Sequence, residues 1–529
     1  MVELCDELLE EYININPTIN DFYLKPKWLN KRHIQPNIYS EKYHNDILEI
    51  DKKFLSILKK KESLTRYDRI LKDDLIKNIK FEEDYEIYMY LPVGLLNNIL
   101  IEYVNECTGE GNYVFYSDKD YLDFIKRLKS LKGITGDIIL KMKNGMNNNV
   151  MLNRLIVLDM IKNINDIIIN KSYNHTLNHK MKNKLNRTID IYLTDNLKLF
   201  LDFLSTEYLE KCSNKLGLSH YKGGKDYYRN TVSSLAFSDS TPEQVHELGK
   251  WELKRLLKIK EEIRKKQDVS DIDKSVRENK SLRFKNEKEV LDSLNKLRER
   301  TIKETQQYFH KNNIPKYDIK TIPTSFNQHF AFYMSGDIEN KRVGTFFINT
   351  EDPNILNKKE MYVLSLHEGI PGHHYEVEYQ KNSNIPDYFK LASYDVFSEG
   401  WGLYCESLGK YGDNIEHYFK NQYDIHRTLR LIIDTGIHYY GWSYDICFNL
   451  MKKHLHFDDK TIHNEILRYS DMPGQALSYK IGEKAILYLK NNYSGDIRDF
   501  HELILKLGPC PLKHLVNDFL FASHAFSNE

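Results

Sequence analysis

Residues 366–376 read LHEGIPGHHYE, and the spacing of their histidines decides what the surrounding fold must do. His367 and Glu368 open the pattern used by zinc proteases, in which two histidines share one helical face and a glutamate follows the first. In a regular helix the second histidine stands four residues on, about 40° around the axis. Here the candidates stand six and seven residues on. His373 is about 120° off the face of His367, and His374 returns to that face about 10 Å further along the axis. Zinc–nitrogen bonds are about 2 Å, so a straight helix brings neither pair comfortably to one ion. The residues between them permit a distortion. Pro371 removes a backbone donor and crowds the preceding turn, while Gly369 and Gly372 tolerate unusual dihedrals. Two residues bulged out between Glu368 and His373 would restore the two-histidine geometry. The alternative is a plain helix stop at Pro371-Gly372 with no metal.

Downstream, FSEGW at 397–401 lies in a stretch that is helical through Glu406. A glutamate from a following helix is the usual third ligand when two histidines come first, with water in the fourth position, and Glu399 is that candidate. Glu406, two turns further on the same face, is placed to orient an imidazole from behind. Upstream, RVGTFFINT at 342–350 is the best strand candidate, rich in β-formers. Asp352-Pro353 then starts a helix, with Asn357 and Glu360 offering a second capping box.

Over all 529 residues, 76 Lys+Arg balance 76 Asp+Glu. This argues against nucleic acid or an anionic membrane as the main partner, because both select clustered positive charge. With 41% hydrophobic and 12% aromatic residues, the chain is expected to fold rather than stay disordered. Mean hydropathy is −0.58, and no apolar run approaches the roughly 18 residues of a membrane span. The opening MVELCDELLE is acidic and lacks the basic and apolar regions of a secretory signal. The six cysteines (Cys5, Cys107, Cys212, Cys405, Cys447 and Cys510) include no C-x-x-C pair, which fits buried thiols in a reducing compartment. The cytoplasm is the expected location. Stretches 41–90, 115–170 and 243–310 have helical periodicity and charged outer faces. Thr241-Pro242-Glu243 is a helix start, with a capping Thr, Pro in the first position and an acid in the first turn. Pro, Gly and His become frequent after about residue 310. The expected layout is an all-helical region 1–215 and a region 216–529 that holds the chemistry, or the two as one continuous two-lobed unit.

HEGIPGHH followed by SEGWGLYCE resembles the domain of unknown function 885 family, whose members are similar to zincin metallopeptidases with a widened H-E-x-x-P-G-H motif. Four further stretches match that family in order: GKDYYRNTVSSLAFSDSTPEQVHELG at 224–249, RVGTFFINT, RLIIDTGIHYYGW at 430–442, and RYSDMPGQALSYKIGEK at 468–484. The match covers roughly residues 220 to 525. The resemblance implies a mainly α, two-lobed helical peptidase with a deep cleft and a small sheet beside the metal helix. It implies His367, His373 and Glu399 as zinc ligands, with His374 less favoured, and Glu368 as general base.

The later motifs also have a reading of their own. Arg427, Arg430, Asp434 and His438 share one helical face. That face could present arginine to a substrate carboxylate, and His438 could donate to a developing oxyanion. The alternative is a local Arg430–Asp434 ion pair. Pro473-Gly474-Gln475 makes a turn, and Tyr479 on the following helix could stabilise a tetrahedral intermediate. The strand from Gly344 to Asn349 would offer its edge to an extended peptide. These expectations describe a zinc-dependent peptidase acting on short peptides. A hydrolase of a small non-peptide amide and a catalytically retired binding scaffold are the alternatives.

Overall fold

The helical periodicity of the chain is punctuated by capping residues, and these decide where several of the helices begin. In this computed structural model, which describes residues 3–526 apart from 23–24, 238–239, 312, 323–329, 337–341 and 393, the chain is mainly α with one small sheet. Thr241 caps the helix Pro242–Lys266 through a full capping box with Gln244. The periodic stretch 41–90 is three helices, Glu41–Lys60, Arg66–Asp84 and Glu86–Tyr90, and Ser40 and Thr65 cap the first two. The box expected at Asn357 and Glu360 does not form. Asn357 accepts from the amide of Lys359, ahead of the helix Glu360–Glu368, and that helix starts without a side-chain cap.

Buried side chains group differently from the expected division at residue 215. Residues 93–208 supply nearly all of a separate core that includes Leu100, Phe124, Leu197 and Phe200, joined by Leu467. The first ninety residues send Cys5, Leu8, Phe54 and Leu71 into a core shared with Trp401, Ile486, Phe500 and Phe519. A cut at 215 would part those N-terminal helices from the apolar surface they bury.

The sheet consists of β1 (Asp318–Thr321), β2 (Ala331–Met334) and β3 (Thr345–Ile348), in the order β1-β3-β2. β3 is central, parallel to β1 and antiparallel to β2, and all four of its residues are buried. This corrects the expectation of a substrate-binding edge from Gly344 to Asn349, because both sides of β3 are already paired. The carbonyl of Gly344 accepts from the amide of Asp318, and the amide of Asn349 donates to the carbonyl of Phe330, both at 2.9 Å. Gly344 instead makes room: a Cβ there would stand 2.1 Å from the Tyr333 hydroxyl. Among the described residues, the outer edge on that side belongs to β2.

Two close approaches position the chemistry. The helix Glu360–Glu368 stops, residues 369–372 turn through a cis Ile370–Pro371 bond, and a new helix runs His373–Asn382. Gly372 packs so tightly on the preceding helix that a Cβ would lie 1.8 Å from the His367 carbonyl oxygen. The helices Asp395–Glu406 and Ser478–Asn491 cross where Gly400 meets Gly482, with a Cβ on Gly400 only 2.5 Å from Gly482 Cα. That crossing brings Glu399 and Tyr479 into the same region.

Candidate metal centre

The break after Glu368 turns His373 back toward His367. Their rings meet edge to face with centroids 4.7 Å apart. Glu399 approaches from the helix Asp395–Glu406, with its Oε2 3.4 Å from the Nε2 of each histidine. One donor atom from each of His367, His373 and Glu399 lies within 4.8 Å of the others. Two donors bound 2.0–2.1 Å from a tetrahedral ion stand about 3.3 Å apart, so the observed spacing suits a shared cation. It is too long for good hydrogen bonds. Glu399 Oε2 is buried without a hydrogen-bond partner among the described residues, an orphan that a cation would satisfy. By geometry and donor chemistry, the cluster fits zinc.

The surroundings fix these donors. His367 Nδ1 donates to Glu406 Oε1 at 3.0 Å, which leaves Nε2 facing the cluster. Glu406 is fully buried and receives Lys420 at 3.2 Å, and Lys420 also pairs with Asp424 at 3.0 Å. Asp424 continues to Lys480 at 2.9 Å, and Lys480 to Glu483 at 2.6 Å. Burial lowers the His367 pKa, but the adjacent carboxylates of Glu399 and Glu406 outweigh it and push the group up to about 9. Burial would raise Glu399, but its two histidine neighbours hold it well below the usual carboxylate range.

His374 points elsewhere. Its Nε2 donates to the carbonyl of Pro315 at 2.7 Å, and its Nδ1 accepts from the Tyr333 hydroxyl at 3.0 Å. Burial lowers its pKa. Both ring nitrogens are used, so His374 ties the helix His373–Asn382 to β2 and is not one of the clustered donors.

A cavity of about 1590 Å³ opens over the cluster. His367, Glu368, His373 and Glu399 line it together with Tyr479, Arg427, Arg430 and Arg468, and Phe330 to Tyr333 form the β2 side. Tyr479 stacks 6.3 Å from the His367 ring, and Arg468 donates to its hydroxyl at 3.2 Å.

The polar helix face reads differently from either expectation. Arg430 pairs with Glu465 at 3.0 Å and donates to the Tyr469 hydroxyl at 3.1 Å, not to Asp434. Asp434 accepts from Tyr228 and from the Gly474 amide at 3.1 Å. Burial raises its pKa to about 7. His438 is fully buried in the π-helical turn Gly436–Tyr440. Its Nδ1 accepts from the Leu218 amide at 3.2 Å, and its Nε2 donates to the Tyr469 carbonyl at 2.8 Å. With both nitrogens on backbone groups, His438 has none for an oxyanion, which removes it from the expected site. Sequence reasoning missed Lys420, Asp424, Lys480, Arg468, Glu465 and the β2 edge. Of these, Arg468 and Lys480 fall inside a quoted motif; Lys480 has a local partner in Glu483, but its second partner, Asp424, comes from another helix and leaves no spacing signal.

A family model described as "Bacterial protein of unknown function (DUF885)" matches residues 31–518. No curated protein matches the chain. Among solved structures, the "putative lipoprotein from Colwellia psychrerythraea" has a TM-score of 0.90 at 19% identity, over 99% of this chain and 98% of that one. The "putative lipoprotein of unknown function from Shewanella oneidensis" has a TM-score of 0.72 at 16% identity, over 98% and 99%. At these identities the likeness speaks for the fold alone. Among the described residues no helix is long and apolar enough to cross a membrane. The names of these two relatives lend no support to the expected cytoplasmic location.

Proposed function

The chain belongs to the DUF885 family, and since that family is described as of unknown function, we propose an activity from the site itself: zinc-dependent hydrolysis of peptide bonds in short peptides. One observation carries this reading. His367, His373 and Glu399 converge three donor atoms on one point, and Glu368, the residue after the first of them, faces the same cavity.

Zinc held by those three side chains would polarise a carbonyl and supply an activated water at neutral pH. Glu368 takes the proton of the attacking water and returns it to the leaving nitrogen. Tyr479 accepts from Arg468, so its own proton is free to be donated to the oxyanion. The outer edge of β2 receives the substrate backbone as an added strand. The cavity, at about 1590 Å³, exceeds the range of roughly 300–1,000 Å³ common for compact ligands, which favours a peptide over a small amide.

The test is a digest of mixed tri- to hexapeptides by zinc-loaded protein, read by mass spectrometry. Glu368→Gln should keep its metal and lose activity about 10²- to 10⁴-fold. Absence of cleavage across the set, or full activity in the Gln variant, would overturn the assignment.

A further inference from the structure

We propose that Arg427 forms a carboxylate-binding subsite in the cavity and that the substrate presents a free C-terminal carboxylate to it. The chemistry of cleavage rests on the hydrolase reading above, but the binding does not.

Three arginines of the cavity wall differ in what they already hold. Arg430 is committed to Glu465 and Tyr469. Arg468 donates to Gln475 at 2.7 Å and to Tyr479. Arg427, on the helix Asn414–Thr435, makes no ion pair and no hydrogen bond among the described residues, although it is only 8% exposed. Its Nε is buried and unsatisfied. Its guanidinium lies against aromatic faces, 4.4 Å from the Tyr423 ring centre and 5.9 Å from that of Tyr479. Glu360 and Glu406 feel its charge, but neither comes within ion-pair distance.

A buried guanidinium without a counter-charge is costly, and proteins normally pair it. Here the pairing partner is left to come from the cavity. A guanidinium offers a rigid fork of N–H donors that matches a carboxylate in two parallel bonds. The neighbouring rings support that geometry, because aromatic faces hold the fork flat and contribute no competing acceptor. Tyr479 sets the spacing. Its ring stands 6.3 Å from the His367 imidazole and 5.9 Å from the Arg427 guanidinium, within reach of both. A carboxylate on Arg427 therefore leaves the rest of a short peptide to run past Tyr479 toward the clustered donors. Cleavage would fall close to the C-terminus.

The experiment measures binding, not turnover. Tetra-alanine with a free C-terminus, tetra-alanine amide, and Ala-Ala-Ala-Glu amide are titrated calorimetrically into the Glu368→Gln protein, with and without zinc. The free acid should bind about 10- to 150-fold more tightly than tetra-alanine amide, the usual effect of a charge-assisted hydrogen bond. Arg427→Met should erase the preference. Arg427→Lys, which keeps the charge but not the fork, should cut it below tenfold, and it preserves the test if the Met variant misfolds. Tight binding of the Glu side-chain peptide that also depends on Arg427 would keep the subsite but assign it to side-chain carboxylates. Equal binding of acid and amide, no binding by either, or a preference that survives both Arg427 changes would overturn the proposal. Arg427-dependent binding without any cleavage by the unmodified protein would instead count against the hydrolase reading alone.

Discussion

Glu406 shows how a single buried side chain sets the donor geometry. By accepting from His367 Nδ1 at 3.0 Å it fixes the tautomer that aims Nε2 at Glu399 and His373. Lys420 behind it keeps the carboxylate charged. Glu406→Gln should therefore lower zinc affinity about 10- to 100-fold, measured by competition with a chromogenic chelator, and unchanged affinity would show that Glu406 does not orient the ligand. At this scale much was legible. The widened motif identified the clustered residues, and helical spacing from Glu399 pointed to Glu406. The role of His438 was not legible, because its partners are the Leu218 amide and the Tyr469 carbonyl. Contacts with distant backbone leave no pattern in local spacing.

Among the elements, the interrupted helix is the device that converts a six-residue spacing into convergence. Gly372 sits where any side chain would strike the His367 carbonyl, at 1.8 Å. Gly372→Ala should force the two helix segments apart, cost about 1–3 kcal/mol in stability, and weaken metal retention; a thermal melt and a metal assay would read both. The Asp434 helix carries a separate prediction. Its carboxyl is raised by burial from the usual range to about 7. A raised acid pKa means the folded state holds the proton more tightly. The resulting stability is fully present below the unfolded pKa near 4 and is lost as pH rises through about 7. Asp434→Asn should flatten that slope, worth on the order of a few kcal/mol, in urea melts between pH 4 and 8, and an unchanged slope would contradict it. Strand order was the least legible element property. The β-formers of 345–348 announced a strand, but nothing local to RVGTFFINT says that it lies between two others, and so the edge was assigned to β3 instead of β2.

For the molecule as a whole, helical periodicity was enough to indicate a mainly α fold, and the observed elements agree with it. The way the chain returns on itself was not legible. The first ninety residues and the last hundred share one core, because each contributes an amphipathic face that the other buries, and a linear reading divides them. That shared core also stands behind the helices that carry Glu399 and Tyr479. The central claim, that this scaffold exists to hold one zinc ion between His367, His373 and Glu399, is tested most directly by elemental analysis of the purified chain. The account predicts one zinc per chain in the unmodified protein and in His374→Ala, and less than a tenth of that in folded His373→Ala and Glu399→Ala. Full zinc occupancy in either of the latter two variants, or a zinc-free wild type that binds no zinc when it is supplied, would contradict it.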